Sequence, residues 1–155
     1  MAIGNDLQDR IARYIDDAIA LEASGVTSLK DMISEATDPV DAALFQEHLA
    51  ETELQKQQLE TRLAALGGSH NSLKDVMNKI GAAATDLLHA GKDAGDKATR
   101  NLIQAYAIEN LEVAVYESLY AAATEAGDTE TAALAKQIQA QEEAAAKKEE
   151  EEEEA

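Results

Sequence analysis

One feature of this 155-residue chain limits its possible folds more than any other: apolar residues recur every three or four positions through unusually long segments. In the first segment, Leu7, Ile11, Ile15, Ala18, Glu22, Val26, Leu29 and Ile33 form one such series. At 3.6 residues per turn, these positions fall on one face of a helix. The spacing predicts a single helix from about Asn5 to Ala36, weakened locally by Gly25. A stripe this long, with no two-residue alternation, has to be buried against other helices. The chain has only one Pro and is rich in Ala, Glu, Leu and Gln, residues that lose little freedom in a helix.

Turn signals divide the remainder. Thr37-Asp38-Pro39 reads as a turn in which Asp38 caps the next helix, Pro39 occupies its first turn and Asp41 faces its positive end. That second helix carries Phe45, Leu49, Thr52, Leu59, Leu63 and Leu66 inward and stops at Gly67-Gly68. A less regular stretch from Ser72 to about His89 reads as a short crossover helix. From Asp96 a further long helix places Leu102, Tyr106, Glu109, Glu112 or Val113, Tyr116, Leu119 and Ala123 inward, ending near Gly127. A last helix follows Asp128, with Leu134, Ile138, Glu142 and Ala145 on its inner side. The expected fold is all-α: a bundle over residues 1–146, then an acidic low-complexity tail over 147–155 that reads as a solvated, fraying helix or disordered end.

Several function classes are excluded or disfavoured. With no Cys there is no disulfide scaffold, thiolate metal site or cysteine nucleophile, so a bound metal has to use carboxylate, imidazole, phenol or amide ligands. The formal charge is −18, of which the last nine residues supply −4, so the body itself is acidic. Such a surface repels nucleic acid and anionic lipid and favours cations, so neither nucleic acid nor membrane is an expected partner. The N-terminus lacks a basic segment followed by an apolar one, and no long apolar run occurs, which points to a soluble cytoplasmic protein. His70 lies in a polar turn and His89 near a helix end, where a dipole interaction accounts for it.

The informative anomaly is that acids interrupt the apolar stripes. Glu22, Glu109, Glu112 and Glu142 all fall at inward positions, although charged groups avoid a core unless paired or bound to metal. Glu109, Glu112 and Tyr116 stand at i, i+3 and i+7 and can converge. His48, Glu51 and Gln55 repeat that spacing on the second helix, where their oxygen and imidazole atoms can complete a site. Two cations held between four helices need about four to six carboxylates, and this chain supplies them. The same acids also fit the rim of a bundle, solvated or paired with Lys56, Arg62, Lys97 or Arg100.

Two stretches carry a family resemblance. Phe45-Gln46-Glu47-His48-Leu49-Ala50-Glu51-Thr52 and Ile108-Glu109-Asn110-Leu111-Glu112-Val113-Ala114-Val115-Tyr116 are similar to the helix-two and later-helix patterns of the bacterial YciE/YciF branch of ferritin-like proteins. The resemblance spans nearly the whole chain. It implies a ferritin-like four-helix bundle with a short additional crossover helix, a stress-response association and a metal site. It implies Glu22, Glu51, Glu112 and Glu142 as ligands, one per long helix, with Glu109, Gln55 and Tyr116 as further ligands or supporting groups. Where the family has His before Tyr-Glu this chain has Asn110, and it contains no Glu-x-x-His motif, so a mostly carboxylate site is expected. Iron or manganese is the implied metal. The alternative is a non-catalytic scaffold that assembles through Ala-rich helix faces; a homodimer or larger homo-oligomer is expected under either reading.

Overall fold

The capping residues define the helices. Asp38 accepts a hydrogen bond from the Val40 amide at 2.8 Å and Pro39 occupies the first turn, which starts one helix. That helix closes where Gly67, at φ 77°, lets the Gly68 amide reach back to the Leu63 carbonyl at 3.0 Å. Gly127, at φ 72°, ends another helix in the same way, and the Asp128 carboxylate immediately caps the next by accepting from the Thr131 amide at 3.0 Å.

The computed structural model describes residues 2–68 and 95–154. These form four long helices: α1 (Ala2–Glu35), α2 (Pro39–Ala65), α3 (Gly95–Ala126) and α4 (Thr129–Glu154). The expected crossover helix over 72–89, with His70 and His89, lies outside the described residues.

α1 and α2 form one antiparallel hairpin and α3 and α4 another; α1 packs on α3, and α2 packs more loosely on α4. The order around the bundle is therefore α1, α2, α4, α3, with α2 diagonal to α3 and α1 diagonal to α4. Two apolar clusters fill the interior. One gathers Ile11, Ile15, Ile19, Leu59, Leu63, Leu119 and Ile138; the other gathers Leu29, Met32, Phe45, Leu102 and Ala105. Burial of these side chains, at roughly 1.5–3 kcal/mol each for the large ones, drives the association of the hairpins. Between the two clusters lies a polar layer.

One expectation is corrected, and the acidic end is more ordered on one face than its composition suggests. Tyr106, expected inside, is 37% exposed because Ala105 takes the inward position in the cluster at the Leu29 end. The segment after Ala146 is helical through Glu154, and Glu149 is only 2% exposed. Buried positions 135, 138, 142, 145 and 149 alternate steps of three and four, so the inward stripe of α4 continues into the acidic end. No helix among the described residues is long and apolar enough to cross a membrane.

Candidate metal centre

The polar layer receives side chains from all four helices: Glu22 from α1, His48, Thr52 and Gln55 from α2, Glu109, Glu112 and Tyr116 from α3, and Glu142 and Glu149 from α4. All are buried, and the apolar clusters above and below keep water from solvating them. Isolated carboxylates in such a place are too costly to remain charged, so they need protons, cations or both.

Two groups of three ligating residues form within this layer: His48, Glu109 and Glu142, and Glu22, Glu112 and Glu142. Within each group the ligating atoms lie within 4.8 Å of one another. Glu142 belongs to both. His48 Nδ1 stands 2.8 Å from Glu109 Oε1 and 3.4 Å from Glu149 Oε1, and its Nε2 stands 3.6 Å from Glu142 Oε2. Despite these short approaches, both ring nitrogens, both oxygens of Glu109 and of Glu142, and one oxygen of Glu22 have no well-formed hydrogen bond among the described residues. Orphaned buried ligand atoms facing one another are what a cation-binding layer presents when its charge is balanced by something other than protein.

The supporting groups orient this set. Tyr116 donates its phenolic hydrogen to Glu22 Oε1 across the α1–α3 contact. Gln55 Nε2 donates to Gln141 Oε1 at 3.2 Å, which places its own Oε1 in the buried layer without a partner. Gly25 of α1 faces this layer, where an added Cβ would stand 3.7 Å from Glu112 Oε1 and 3.6 Å from Thr52 Cγ2, ordinary contact distances.

Protonation equilibria are displaced strongly. Burial, reinforced by the charge of Glu142, raises Glu22 to about 8. Burial likewise raises Glu109 to about 8 against the opposing pull of His48. Burial and the charges of Glu22 and Glu142 hold Glu112 well above the ordinary carboxylic range, and burial first holds the Tyr116 phenol up as well. Burial opposes the charge on His48, but the carboxylates of Glu109, Glu142 and Glu149 outweigh it and push the imidazole up to about 12. Burial also acts to raise Glu142, yet His48, Glu112 and Gln55 overcome it and hold this carboxyl below its usual value. Protons and one imidazolium therefore balance the layer in the absence of another cation.

Six of the seven residues expected at the site are brought together: Glu22, Glu109, Glu112, Glu142, Gln55 and Tyr116 share the buried layer. Glu51 does not join either group. It is half-buried on the α2 flank, because Thr52 takes the inward position between His48 and Gln55. His48 lies nearer the centre than the resemblance implies, and its spacing with Gln55 was the signal for it. Asn110, at the place of the family's His, faces solvent and donates to the Tyr106 carbonyl at 2.7 Å. Glu149 was not anticipated, since a run of identical acids offers no contrast between faces.

Over residues 6–152 the chain matches the family described as Domain of unknown function (DUF892). It belongs to that family. Solved structures of bacterial proteins share the fold of this DUF892 chain. A protein of Xanthomonas campestris pv. campestris is 27% identical, with a TM-score of 0.80 over 96% of this chain and 91% of that one. YcfI of Rhodopseudomonas palustris is 23% identical, with a TM-score of 0.80 over 93% and 92%. The E. coli stress protein YciF is 19% identical, with a TM-score of 0.81 over 95% and 94%. The last two bear on fold alone, and they place this DUF892 chain with the YciF-like, ferritin-like helical bundles.

Proposed function

We propose that this protein binds divalent metal in the buried layer, where His48, Glu109 and Glu142 would hold one ion and Glu22, Glu112 and Glu142 a second. The observation that carries this reading is the sharing of Glu142 by two buried groups whose ligand atoms lie within 4.8 Å, with His48, Glu109, Glu142 and one oxygen of Glu22 lacking a well-formed hydrogen bond among the described residues. The donor set fits the purpose: carboxylates and one imidazole suit iron or manganese, and the absence of Cys removes a thiolate preference. Iron is the reading's first choice, and the stress association of the resembled family is its physiological setting.

The protein's own part would be electrostatic. Glu22, Glu109 and Glu112 release protons as cation charge replaces them, and His48 has to give up its proton to ligate. Tyr116 would hold Glu22 in one orientation, and Gln55, tethered to Gln141, would present its Oε1 to the layer. Iron bound in such a carboxylate layer supplies one-electron chemistry toward oxygen or peroxide.

The test is metal analysis of the purified protein, followed by ferrous and manganous titration of wild type, Glu142→Gln and the Glu22→Ala/Glu112→Ala double variant. Two ions per chain in wild type, one in the double variant and weakened binding of both in Glu142→Gln is the expected pattern. Absence of saturable binding in a folded wild-type protein would leave a helical scaffold as the better account.

A further inference from the structure

The buried layer has to be reached from outside, and the packing of the bundle restricts how. Above and below it lie the two apolar clusters. On the α1–α3 side a cavity of only about 10 Å³, lined by Gly25, Leu29, Met32 and Thr52, touches Glu112. That is about the space one water needs, and a hydrated divalent ion carries several.

Between α2 and α4, the more loosely packed pair, a cleft of about 230 Å³ opens instead. Its walls include Glu47, Glu51 and Lys148, and its floor includes His48 and Glu149. From rim to floor the acids become progressively less exposed: Glu47 is open to solvent, Glu51 half-buried and Glu149 2% exposed. At the rim, Lys148 Nζ holds Glu47 Oε1 at 2.8 Å. At the floor, both nitrogens of His48 and Glu149 Oε2 are buried without a well-formed hydrogen bond.

We propose that this cleft is the admission site for hydrated divalent cations, with Glu47 and Glu51 as successive temporary partners and Glu149 as the acceptor that passes the ion to the buried layer. The proposal rests on the metal-binding reading and adds to it a place of entry. The Glu47–Lys148 pair is its gate. An exposed ion pair of this kind holds weakly, so an arriving cation can take Glu47 while Lys148 swings into solvent. Glu51, which neither ligand group includes, thereby has a role at its observed position on the cleft wall. The acidic end of α4 has one too, because Lys148 and Glu149 come from the segment that its composition marks as featureless.

A residue used only in transit changes the rates of entry and exit together and leaves the final affinity unchanged, whereas a ligand changes the affinity. The experiment is therefore stopped-flow loading and chelator-driven release of manganous ion at low salt. It compares wild type with Glu51→Gln, Lys148→Gln and Glu125→Gln, the last removing an exposed charge at the far end of α3.

Glu51→Gln is expected to slow both loading and release by on the order of tenfold, with stoichiometry and Kd as in wild type. Lys148→Gln is expected to speed loading, and Glu125→Gln to leave it unchanged. Equal rates in wild type and Glu51→Gln, or equal slowing in Glu125→Gln, would overturn the cleft as the route. Loss of an ion in Glu51→Gln would make Glu51 a ligand and overturn its transit role. A folded wild type that takes up no metal would instead remove the metal-binding reading itself, and the route with it.

Discussion

His48 and Glu109 meet across a diagonal of the bundle. α2 and α3 are not adjacent, yet His48 Nδ1 reaches to 2.8 Å of Glu109 Oε1, with both side chains buried. Glu22 and Glu142 approach one another along the other diagonal, from α1 and α4. The polar layer therefore ties together the two helix pairs that share no direct packing, and its charge state affects how the two hairpins hold together.

Removing the imidazolium exposes this role. His48→Gln leaves Glu109, Glu142 and Glu149 without their buried cation, and breaking a buried pair from one side costs about 3–5 kcal/mol. In chelator at pH 8, urea denaturation should show a loss of about 3 kcal/mol. The loss should shrink at pH 5, where the carboxyls take up protons instead. A variant as stable as wild type at pH 8 would show that the carboxylates do not depend on His48.

The metal-free protein should lose stability as pH rises. Glu22 and Glu109 move from an ordinary 4.5 to about 8 on folding, so their contribution is complete below 4.5 and disappears as pH rises through 8. His48, raised from 6.5 to about 12, has the same sign, its contribution complete below 6.5 and lost through 12. Glu142 is lowered and acts oppositely, losing its contribution only as pH falls below the ordinary carboxylate range. Between pH 5 and 9, Tm in chelator is therefore expected to fall, and saturating manganous ion should flatten or reverse the trend. A Tm in chelator that climbs steadily through pH 6–8 would contradict these shifts.

Metal uptake should release protons for the same reason. Near pH 7 Glu22 and Glu109 are mostly protonated, so an ion that ligates them has to displace those protons. Calorimetric titration in two buffers of different ionisation enthalpy should report more than one proton released per chain at pH 7. That number should fall as pH approaches 9, and affinity should rise over the same interval.

The fold was legible because its signals are local. Asp38-Pro39, Gly67 and Gly127 act within a turn of the backbone, and the stripe through Ile11, Ile15 and Leu29 is the buried face of α1. Glu22, Glu109, Glu112 and Glu142 were legible as violations of those stripes. What could not be read depended on neighbours. Leu49 looked more suitable for the interior than His48, yet His48 is buried because acids from α3 and α4 make its charge favourable there. Glu51 and Thr52 are adjacent, and only the rotation of α2 against α1 decided which of them turns inward. Glu149 was hidden in a run where every residue is the same, although the register of α4 carries the inward face to it.

Gly25→Ala is expected to stabilise the protein. Glycine inside a helix costs roughly 0.5–1 kcal/mol relative to alanine. The added Cβ would meet Thr52 Cγ2 at 3.6 Å and Glu112 Oε1 at 3.7 Å, ordinary contact distances that need no displacement. Propensity therefore decides the sign, and a gain of about 0.5–1 kcal/mol in urea denaturation should follow. A loss would mean that Glu112 needs the space beside Gly25.

The opposite end of the bundle depends on a latch that does not involve the polar layer. Arg62, near the end of α2, donates from Nη2 to Asp128 Oδ1 at 2.8 Å and from Nε to Thr131 Oγ1 at 2.9 Å, and it also pairs with Glu130. Asp128 meanwhile caps α4 through the Thr131 amide, so one carboxylate both starts α4 and holds α2. Asp128→Ala removes a cap and an ion pair together and should cost about 1–2 kcal/mol. Arg62→Met, which keeps the apolar stem, removes only the pairing and should cost about 1 kcal/mol or less. Burial acts to raise Asp128, but Thr131 and Arg62 outweigh it and hold the carboxyl below 3.8. Its contribution is thus present above that pH and lost as pH falls through its folded value. The gap between wild type and Asp128→Ala should therefore narrow below pH 4 in urea denaturation, whereas equal losses in the two variants at pH 7 would show that the cap adds nothing beyond the ion pair.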